Sequence, residues 1–227
     1  MPFGLSNAPS TFQATMNLIL KPFLRRFVAV FFDDILVYSA SISDHIRHLR
    51  QVLQVLREHQ FFVKRSKCTF GQTSIEYLGH IVSNYGVSMD LAKVKAMLEW
   101  PVPNNLKELR GFLGLTGYYR RFVRSYATIA SPLTDLLKKD TFAWTSVAQS
   151  AFDTFKAAMT SAPVLALPNF VAEFVVETDA SNFGIGAVLL KSDHHIAYFS
   201  KKLSPRMQHT SVYVRELYAI TEAVKKW

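Results

Sequence analysis

The sequence has a single cysteine, no long apolar run and few acidic residues. Cys68 cannot form an internal disulfide, which is typical of a reducing compartment, and we expect this lone thiol in the core. No uninterrupted apolar stretch reaches the roughly 20 residues that a membrane-spanning helix needs. The first residues lack the pattern of a secretory signal. These absences favour an intracellular protein and exclude a membrane-spanning one.

An excess of positive charge accompanies the shortage of acids. The 227 residues include 26 Lys and Arg against 17 Asp and Glu, which gives a formal net charge of +9. Hydrophobic residues make up 49% of the chain, enough core material for one large domain or two small ones. We therefore expect a folded protein with a polyanionic partner such as nucleic acid.

Two adjacent carboxylates interrupt an apolar segment. Residues 27–39 have the sequence FVAVFFDDILVYS, in which two runs of strand length flank Asp33 and Asp34. This pattern predicts a hairpin with the acids at its tip. Adjacent like charges are costly unless a cation or solvent screens them, and Mg²⁺ prefers carboxylate and phosphate oxygens. The pair is a candidate metal site, and a solvated turn is the alternative.

Strand and helix patterns alternate after this hairpin. Ser43 is expected to cap an amphipathic helix, because apolar residues recur at helical spacing beyond it. The stretch 76–82 has a strand pattern, and Gly86 is expected to turn the chain with a positive φ. Further helices are predicted from Asp90, from Asn105 and over 131–160. This order predicts an α+β fold.

A second sheet is predicted beyond two prolines. Pro163 and Pro168 mark an expected domain junction. Alternating patterns then predict an antiparallel meander followed by a helix from about Val212, with strands at 174–178, 185–190 and 196–203. His194 and His195 are expected in a loop rather than at a metal. No internal repeat is visible.

A basic and aromatic segment precedes that sheet. Arginines recur at helical spacings around a pair of tyrosines, namely Arg110, Arg120, Arg121 and Arg124 with Tyr118 and Tyr119. Such a face suits a phosphate backbone. The alternative is that the tyrosines belong to the core and the arginines are merely solvated.

Four motifs in order resemble the reverse transcriptases of gypsy-class LTR retrotransposons. They are MPFGLSNAPSTFQ at 1–13, FFDDILVYS at 31–39, EYLGHIVS at 76–83 and LRGFLGLTGYYRRFV at 109–123. Phe31 departs from the tyrosine that is usual before the aspartates. The resemblance spans essentially the whole chain. It implies a truncated palm at 1–87, a helical thumb at 88–128, a connection at 129–168 and an incomplete RNase H-like α/β domain at 169–227.

The resemblance also implies functional residues. Asp33 and Asp34 would hold catalytic Mg²⁺, or Mn²⁺ in its place. Residues 78–81 would resemble the primer grip. The residues expected at the incoming nucleotide and template are Phe3, Gly4, Leu5, Asn7 and Gln13, and those on the thumb are Arg110, Tyr118, Arg120 and Arg121.

A second acidic pair resembles the first half of an RNase H site. Asp179, which precedes Gly184 and Gly186, matches the first catalytic aspartate, and Glu216 matches the glutamate of the first helix. By resemblance the two would share Mg²⁺. Without the family, the favoured alternative is that Asp179 is a turn residue and Glu216 a solvated helix charge.

Both implied sites are expected to be incomplete. The family supplies a further Asp from an upstream strand, and nothing between Met1 and Phe32 is acidic. RNase H domains use four acidic residues over five strands. The resemblance thus implies an RNA template, a DNA primer, an RNA–DNA hybrid, dNTP and the rest of a Pol polyprotein as partners. We expect no activity from the isolated chain, and the alternative is a noncatalytic remnant that only binds nucleic acid. The chain has no targeting motif that would indicate whether it is located in a cytoplasmic particle or in the nucleus.

Overall fold

The computed structural model describes residues 7–138, 142–168, 170 and 172–227, which form two compact units. Unit 1 ends at Tyr77, and unit 2 comprises Leu78–Trp227. Both mix helices with antiparallel strands, which confirms the predicted α+β class. No helix in the described part of the chain is long and apolar enough to cross a membrane. The unit boundary differs from the divisions predicted at 87, 128 and 168, which stay predictions.

Unit 1 is built around the predicted hairpin. Its elements are α1 (Ala8–Ile19), β1 (Val28–Phe31), β2 (Asp34–Val37), α2 (Ile42–Glu58) and β3 (Ser74–Tyr77). Strands β1 and β2 pair antiparallel with Phe31 opposite Asp34, so the hairpin is confirmed. The buried core is small and consists of Met16, Leu20, Phe27, Val28, Val52 and Leu56.

Two expectations about unit 1 are wrong. The N-cap of α2 is Ser41 rather than Ser43, because Ser41 has extended backbone and its hydroxyl accepts from the amide of Asp44 at 3.1 Å. Cys68 is only half-buried, with its thiol donating to the carbonyl of Lys64 at 3.3 Å. It therefore does not belong to the core.

Unit 2 begins with a hairpin and a set of helices. These elements are β4 (His80–Ser83), β5 (Gly86–Met89), α3 (Leu91–Leu98), α4 (Leu106–Tyr118), α5 (Tyr126–Leu136) and α6 (Ser146–Thr160). Asp90 caps α3, and Asn105 accepts from the amide of Glu108 at 2.9 Å, so both predicted helix starts are confirmed. The predicted start at residue 131 is wrong, because α5 begins five residues earlier, after Ser125 takes a left-handed φ of 56°.

A three-stranded antiparallel sheet completes unit 2. Its elements are β6 (Val175–Ala180), β7 (Gly184–Lys191), β8 (His194–Lys202), α7 (Pro205–Gln208) and α8 (Val212–Lys226). The predicted meander and final helix are confirmed. His194 and His195 were expected in a loop, but they pair with Lys191 and Leu190 at the start of β8.

The stretch 76–82 is not one strand. Strand β3 ends at Tyr77 and β4 begins at His80, because Leu78 and Gly79 both take positive φ, 51° and 68°. Gly86 has a φ of 134°, as its position in the next turn predicts.

The predicted junction near Pro163 is tied into the sheets. Leu165 exchanges two backbone hydrogen bonds with Val87 on β5, at 2.7 and 2.8 Å. The next amide, of Ala166, donates to the carbonyl of His195 on β8 at 2.7 Å. Leu165 is 1% exposed within a core that includes Phe112, and this segment therefore links the first hairpin of unit 2 to its larger sheet.

Candidate functional site: an aspartate hairpin and a second acidic cleft

The tip of the β1–β2 hairpin carries the adjacent aspartates. Phe32 and Asp33 form the two-residue turn, and Asp34 opens β2 opposite Phe31. Both carboxylates are exposed, and the ring of Phe31 packs edge-on against that of Phe32 at 4.7 Å between centroids. The structure thus presents both carboxylates to solvent from the end of a partly buried hairpin.

Side chains from elsewhere in unit 1 hold this tip. Gln13 on α1 accepts the amide hydrogen of Phe32 through its side-chain oxygen, with a donor–acceptor distance of 2.5 Å. Tyr77 at the end of β3 donates its hydroxyl to the carbonyl of Asp34 at 3.4 Å. Burial, and secondarily the charge of Asp34, raise the pKa of Tyr77 to about 12. The phenol therefore stays a protonated donor at neutral pH.

The donor set of this tip fits part of a magnesium site. Mg²⁺ is commonly held by one or two carboxylates together with substrate phosphates, and Asp33 and Asp34 supply two hard oxygen donors. Among the residues that the structure describes, no group of three or more His, Cys, Asp and Glu side chains could hold a metal. Within the described residues, Asp33 and Asp34 therefore supply only some of the ligands that a magnesium site needs.

The residues expected at the nucleotide and template are only partly described. Phe3, Gly4 and Leu5 lie outside the described residues. Asn7 is exposed at the start of α1, where its carbonyl accepts from the amide of Thr11 at 3.0 Å. Gln13 is directed to the hairpin, as described above.

In unit 2, the end of α4 braces the turn at residues 78–79. The hydroxyl of Tyr118 donates to the carbonyl of Leu78 and that of Tyr119 to the carbonyl of Gly79, both at 2.7 Å. Tyr119 is 1% exposed and belongs to the core, whereas Tyr118 is 54% exposed. The alternative that the tyrosines are core residues therefore holds for one of the two.

The arginines that were predicted for a thumb are on the surface. Arg110, Arg120 and Arg121 are all exposed, and the guanidinium of Arg121 lies 5.1 Å from the ring centre of Phe122. Tyr118 is also half-exposed, so unit 2 presents cations and an aromatic ring to solvent, which are side chains of the kind that suit a nucleic acid backbone.

Asp179 lies within β6, opposite Gly186 of β7. It lines an open cleft of about 370 Å³ together with Arg124, Thr128 and Gly186. A Cβ on Gly186 would meet no described atom within 4 Å, so the space beside the carboxylate is open. The structure therefore leaves Asp179 accessible from one side.

Glu216 occupies the exposed side of α8, and it is not among the described residues that line this cleft. Helix α8 is fixed to the sheet by Lys201, which donates to Glu222 at 2.5 Å and to the hydroxyl of Tyr218 at 2.9 Å. Sharing of one metal ion by Asp179 and Glu216 stays a prediction.

Two residues near the acids were not predicted. Tyr77 touches the aspartate hairpin, and Arg215 is 7% exposed, where it donates to Asn182 at 2.5 Å and to the carbonyl of Ser181 at 3.3 Å. Arg215 thereby fastens the loop after β6 to α8. Their positions in the sequence could have indicated them, because Tyr77 lies within the motif at 76–83 and Arg215 immediately precedes Glu216.

Two family models match the chain. Residues 1–82 match reverse transcriptase (RNA-dependent DNA polymerase), and residues 144–227 match an RNase H-like domain found in reverse transcriptase.

Curated relatives match over the whole chain. It is 42% identical over 227 residues to the retrovirus-related Pol polyprotein from transposon 297 of Drosophila melanogaster, covering 99% of the chain and 21% of the relative. It is 35% identical over 233 residues to the transposon Tf2-3 polyprotein of Schizosaccharomyces pombe, covering 100% of the chain and 18% of the relative. The chain thus spans about a fifth of the length of these relatives.

Solved structures share the fold. The foamy viral protease-reverse transcriptase, in a form named dRH in complex with double-stranded DNA, matches with a TM-score of 0.91 and 24% identity over 99% of this chain and 40% of its own. The same viral protein in complex with an RNA/DNA hybrid matches with a TM-score of 0.90 and 24% identity over 100% of this chain and 31% of its own. At this identity the likeness concerns the fold alone.

Proposed function

Because the chain belongs to the reverse transcriptases of LTR retrotransposon Pol polyproteins, we propose that it supplies part of an RNA-directed DNA polymerase site, with Asp33 and Asp34 as its metal ligands. The observation that carries the proposal is the exposed aspartate pair on a hairpin tip that side chains of unit 1 hold in place. A noncatalytic remnant is the less favoured alternative, because both matched segments belong to enzyme families.

Magnesium, when bound, would neutralise phosphate charge and steady the attacking and leaving oxygens. The residues of this chain have the other tasks. Asp33 and Asp34 would hold the ion through their carboxylate oxygens, and Tyr77 and Gln13 keep the turn in position. The exposed arginines of unit 2 contact the backbones of the RNA template and DNA primer.

We further propose that Asp179 belongs to a site for cleaving RNA in a hybrid, with Glu216 as a second acid. The open cleft beside Asp179 supports access by a backbone, and Arg124 at its rim supplies a cation for a phosphate. Completion of both sites requires acidic residues from the rest of the polyprotein, and the isolated chain is therefore expected to bind nucleic acid without turnover. We propose an intracellular location, and the choice between a cytoplasmic particle and the nucleus stays open.

The binding part is tested by fluorescence anisotropy with a labelled RNA/DNA hybrid. Arg120→Ala and Arg121→Ala are each expected to weaken binding at low salt. Each should also reduce, by about one unit, the slope of the logarithm of the binding constant against the logarithm of the salt concentration. Arg47→Ala is the charge-matched control, because Arg47 pairs with Asp44 on α2. Equal losses in all three variants would contradict a specific thumb surface.

A further inference from the structure

Phe32 has backbone that its residue type seldom adopts. It occupies the first position of the two-residue turn between β1 and β2 with a φ of 50°, a region that favours glycine. A bulky residue persists there only where its surroundings hold it. The hairpin tip that carries both aspartates therefore depends on contacts beyond its own two strands.

Gln13 supplies the strongest of these contacts. Its side-chain oxygen accepts from the amide of Phe32 at 2.5 Å, and its side-chain nitrogen lies 3.5 Å from the carbonyl of Val30. The same nitrogen donates to the side chain of Asn17 at 2.9 Å, one turn along α1. A carboxamide has two donor hydrogens, so both have partners, and the oxygen is already bonded to the turn.

We propose that Gln13 is a positioning residue for the aspartate hairpin and that it does not read the template. It joins α1 to the strained amide of the turn and thereby fixes the carboxylates of Asp33 and Asp34. The proposal rests on the proposed polymerase function, because it concerns how well these two acids hold a divalent cation.

Two variants at this position separate the hydrogen bond from the bulk of the side chain. Gln13→Met keeps the length of the side chain but cannot accept from Phe32. Gln13→Glu keeps an oxygen acceptor for that amide and loses the donors. Gln54→Met is the control, because Gln54 bonds only Glu58 on the exposed side of α2 in the described structure.

The first readout is the rate of amide hydrogen exchange at Phe32, which NMR measures on the whole chain. Gln13→Met is expected to speed exchange about tenfold, the protection that one ordinary hydrogen bond gives, while Gln13→Glu and Gln54→Met stay close to the wild type. Unchanged exchange in Gln13→Met would overturn the positioning role.

The second readout is the affinity for Mn²⁺, which is measured in a titration by the paramagnetic broadening of the Asp33 and Asp34 amide signals. Gln13→Met is expected to weaken Mn²⁺ binding about fivefold, because a loosened turn must be ordered again before both carboxylates bind, and Gln13→Glu is expected to restore most of the affinity. Faster exchange with unchanged Mn²⁺ affinity would overturn the proposal. Asp33 and Asp34 signals of the wild-type chain that do not broaden with Mn²⁺ would instead overturn the proposed role of these two residues as metal ligands.

Discussion

The two units hold their acidic residues by different means. In unit 1, Asp33 sits in a two-residue turn whose conformation depends on side-chain bonds from Gln13 and Tyr77. In unit 2, Asp179 sits inside β6, where the backbone ladder to β7 fixes its position. A carboxylate in a ladder needs few specialised neighbours, whereas one in a turn is sensitive to single side chains.

The hydrophobic cores of the two units also differ, in their size. Among the described residues, the core of unit 1 has six buried members, whereas the principal core of unit 2 includes sixteen and extends over four helices. All three tryptophans, Trp100, Trp144 and Trp227, belong to unit 2. Tryptophan fluorescence therefore reports the unfolding of unit 2, and NMR signals of α2 report unit 1.

The largest expected effect separates the two cores. Phe155 is fully buried against Phe112 and Tyr126, so Phe155→Ala is expected to lower the stability of unit 2 by about 3–5 kcal/mol. Urea unfolding followed by tryptophan fluorescence measures this loss. The α2 signals of unit 1 should keep their midpoint, and a joint shift would show that the units unfold together.

Gly86→Ala tests the link between the two sheets of unit 2. A Cβ at this position would lie 2.1 Å from the carbonyl oxygen of Leu165, on a backbone with positive φ. We expect a loss of about 2–4 kcal/mol from strain and broken Val87–Leu165 hydrogen bonds, measured by the same fluorescence.

Gly114→Ala is the matched control. Gly114 is inside α4 and its Cβ would meet no described atom within 4 Å. Because alanine favours helix, this variant should gain about 0.5–1 kcal/mol. A loss equal to that of Gly86→Ala would contradict the role assigned to Leu165.

Tyr77→Phe tests how unit 1 holds its turn. Removing the hydroxyl deletes the bond to the Asp34 carbonyl and is expected to lower the stability of unit 1 by about 0.5–1 kcal/mol. Tyrosine pH titration by ultraviolet absorbance adds a second check. The raised pKa of Tyr77, about 12, stabilises the folded state fully below the ordinary tyrosine pKa, and this contribution is lost as the pH rises through about 12. An absorbance titration unchanged in Tyr77→Phe at the alkaline end would contradict this assignment.

The smallest effect is expected at an ion pair of unit 2. Asp135 on α5 accepts from Lys202 on β8 at 2.8 Å, which with Lys138 lowers the pKa of that carboxyl. Its contribution is present above the ordinary aspartate pKa and is lost as the pH falls through the lowered value. Because both partners are partly exposed, Asp135→Asn should cost about 0.5 kcal/mol at low salt and less at high salt. A loss that does not depend on salt would contradict an electrostatic origin.

The sequence predicted the elements whose signals are local. The hairpin at Asp33, the helix starts at Asp90 and Asn105 and the meander around Gly184 each follow from patterns within a few residues. The matched families and the fold were likewise predicted from the motifs. Local signals were ambiguous at α2, where Ser41 and Ser43 are equally suitable caps by residue type.

Long-range contacts could not be predicted in the same way. The bonds of Gln13 to Phe32 and of Leu165 to Val87 join residues far apart in sequence, and nothing in their own segments indicates the partner. The turn at Leu78 was missed because leucine seldom takes positive φ. Of these contacts, the bond of Gln13 to Phe32 holds the aspartate hairpin in place, and the sequence does not indicate it.

The decisive experiment is primer extension with the purified chain, a saturating DNA primer annealed to an RNA template, dNTP and Mg²⁺. We predict binding of the hybrid without any extended product, because Asp33 and Asp34 form only part of a metal site within the described residues. A templated product that disappears in Asp33→Asn would contradict this prediction and would show that this chain alone completes a polymerase site.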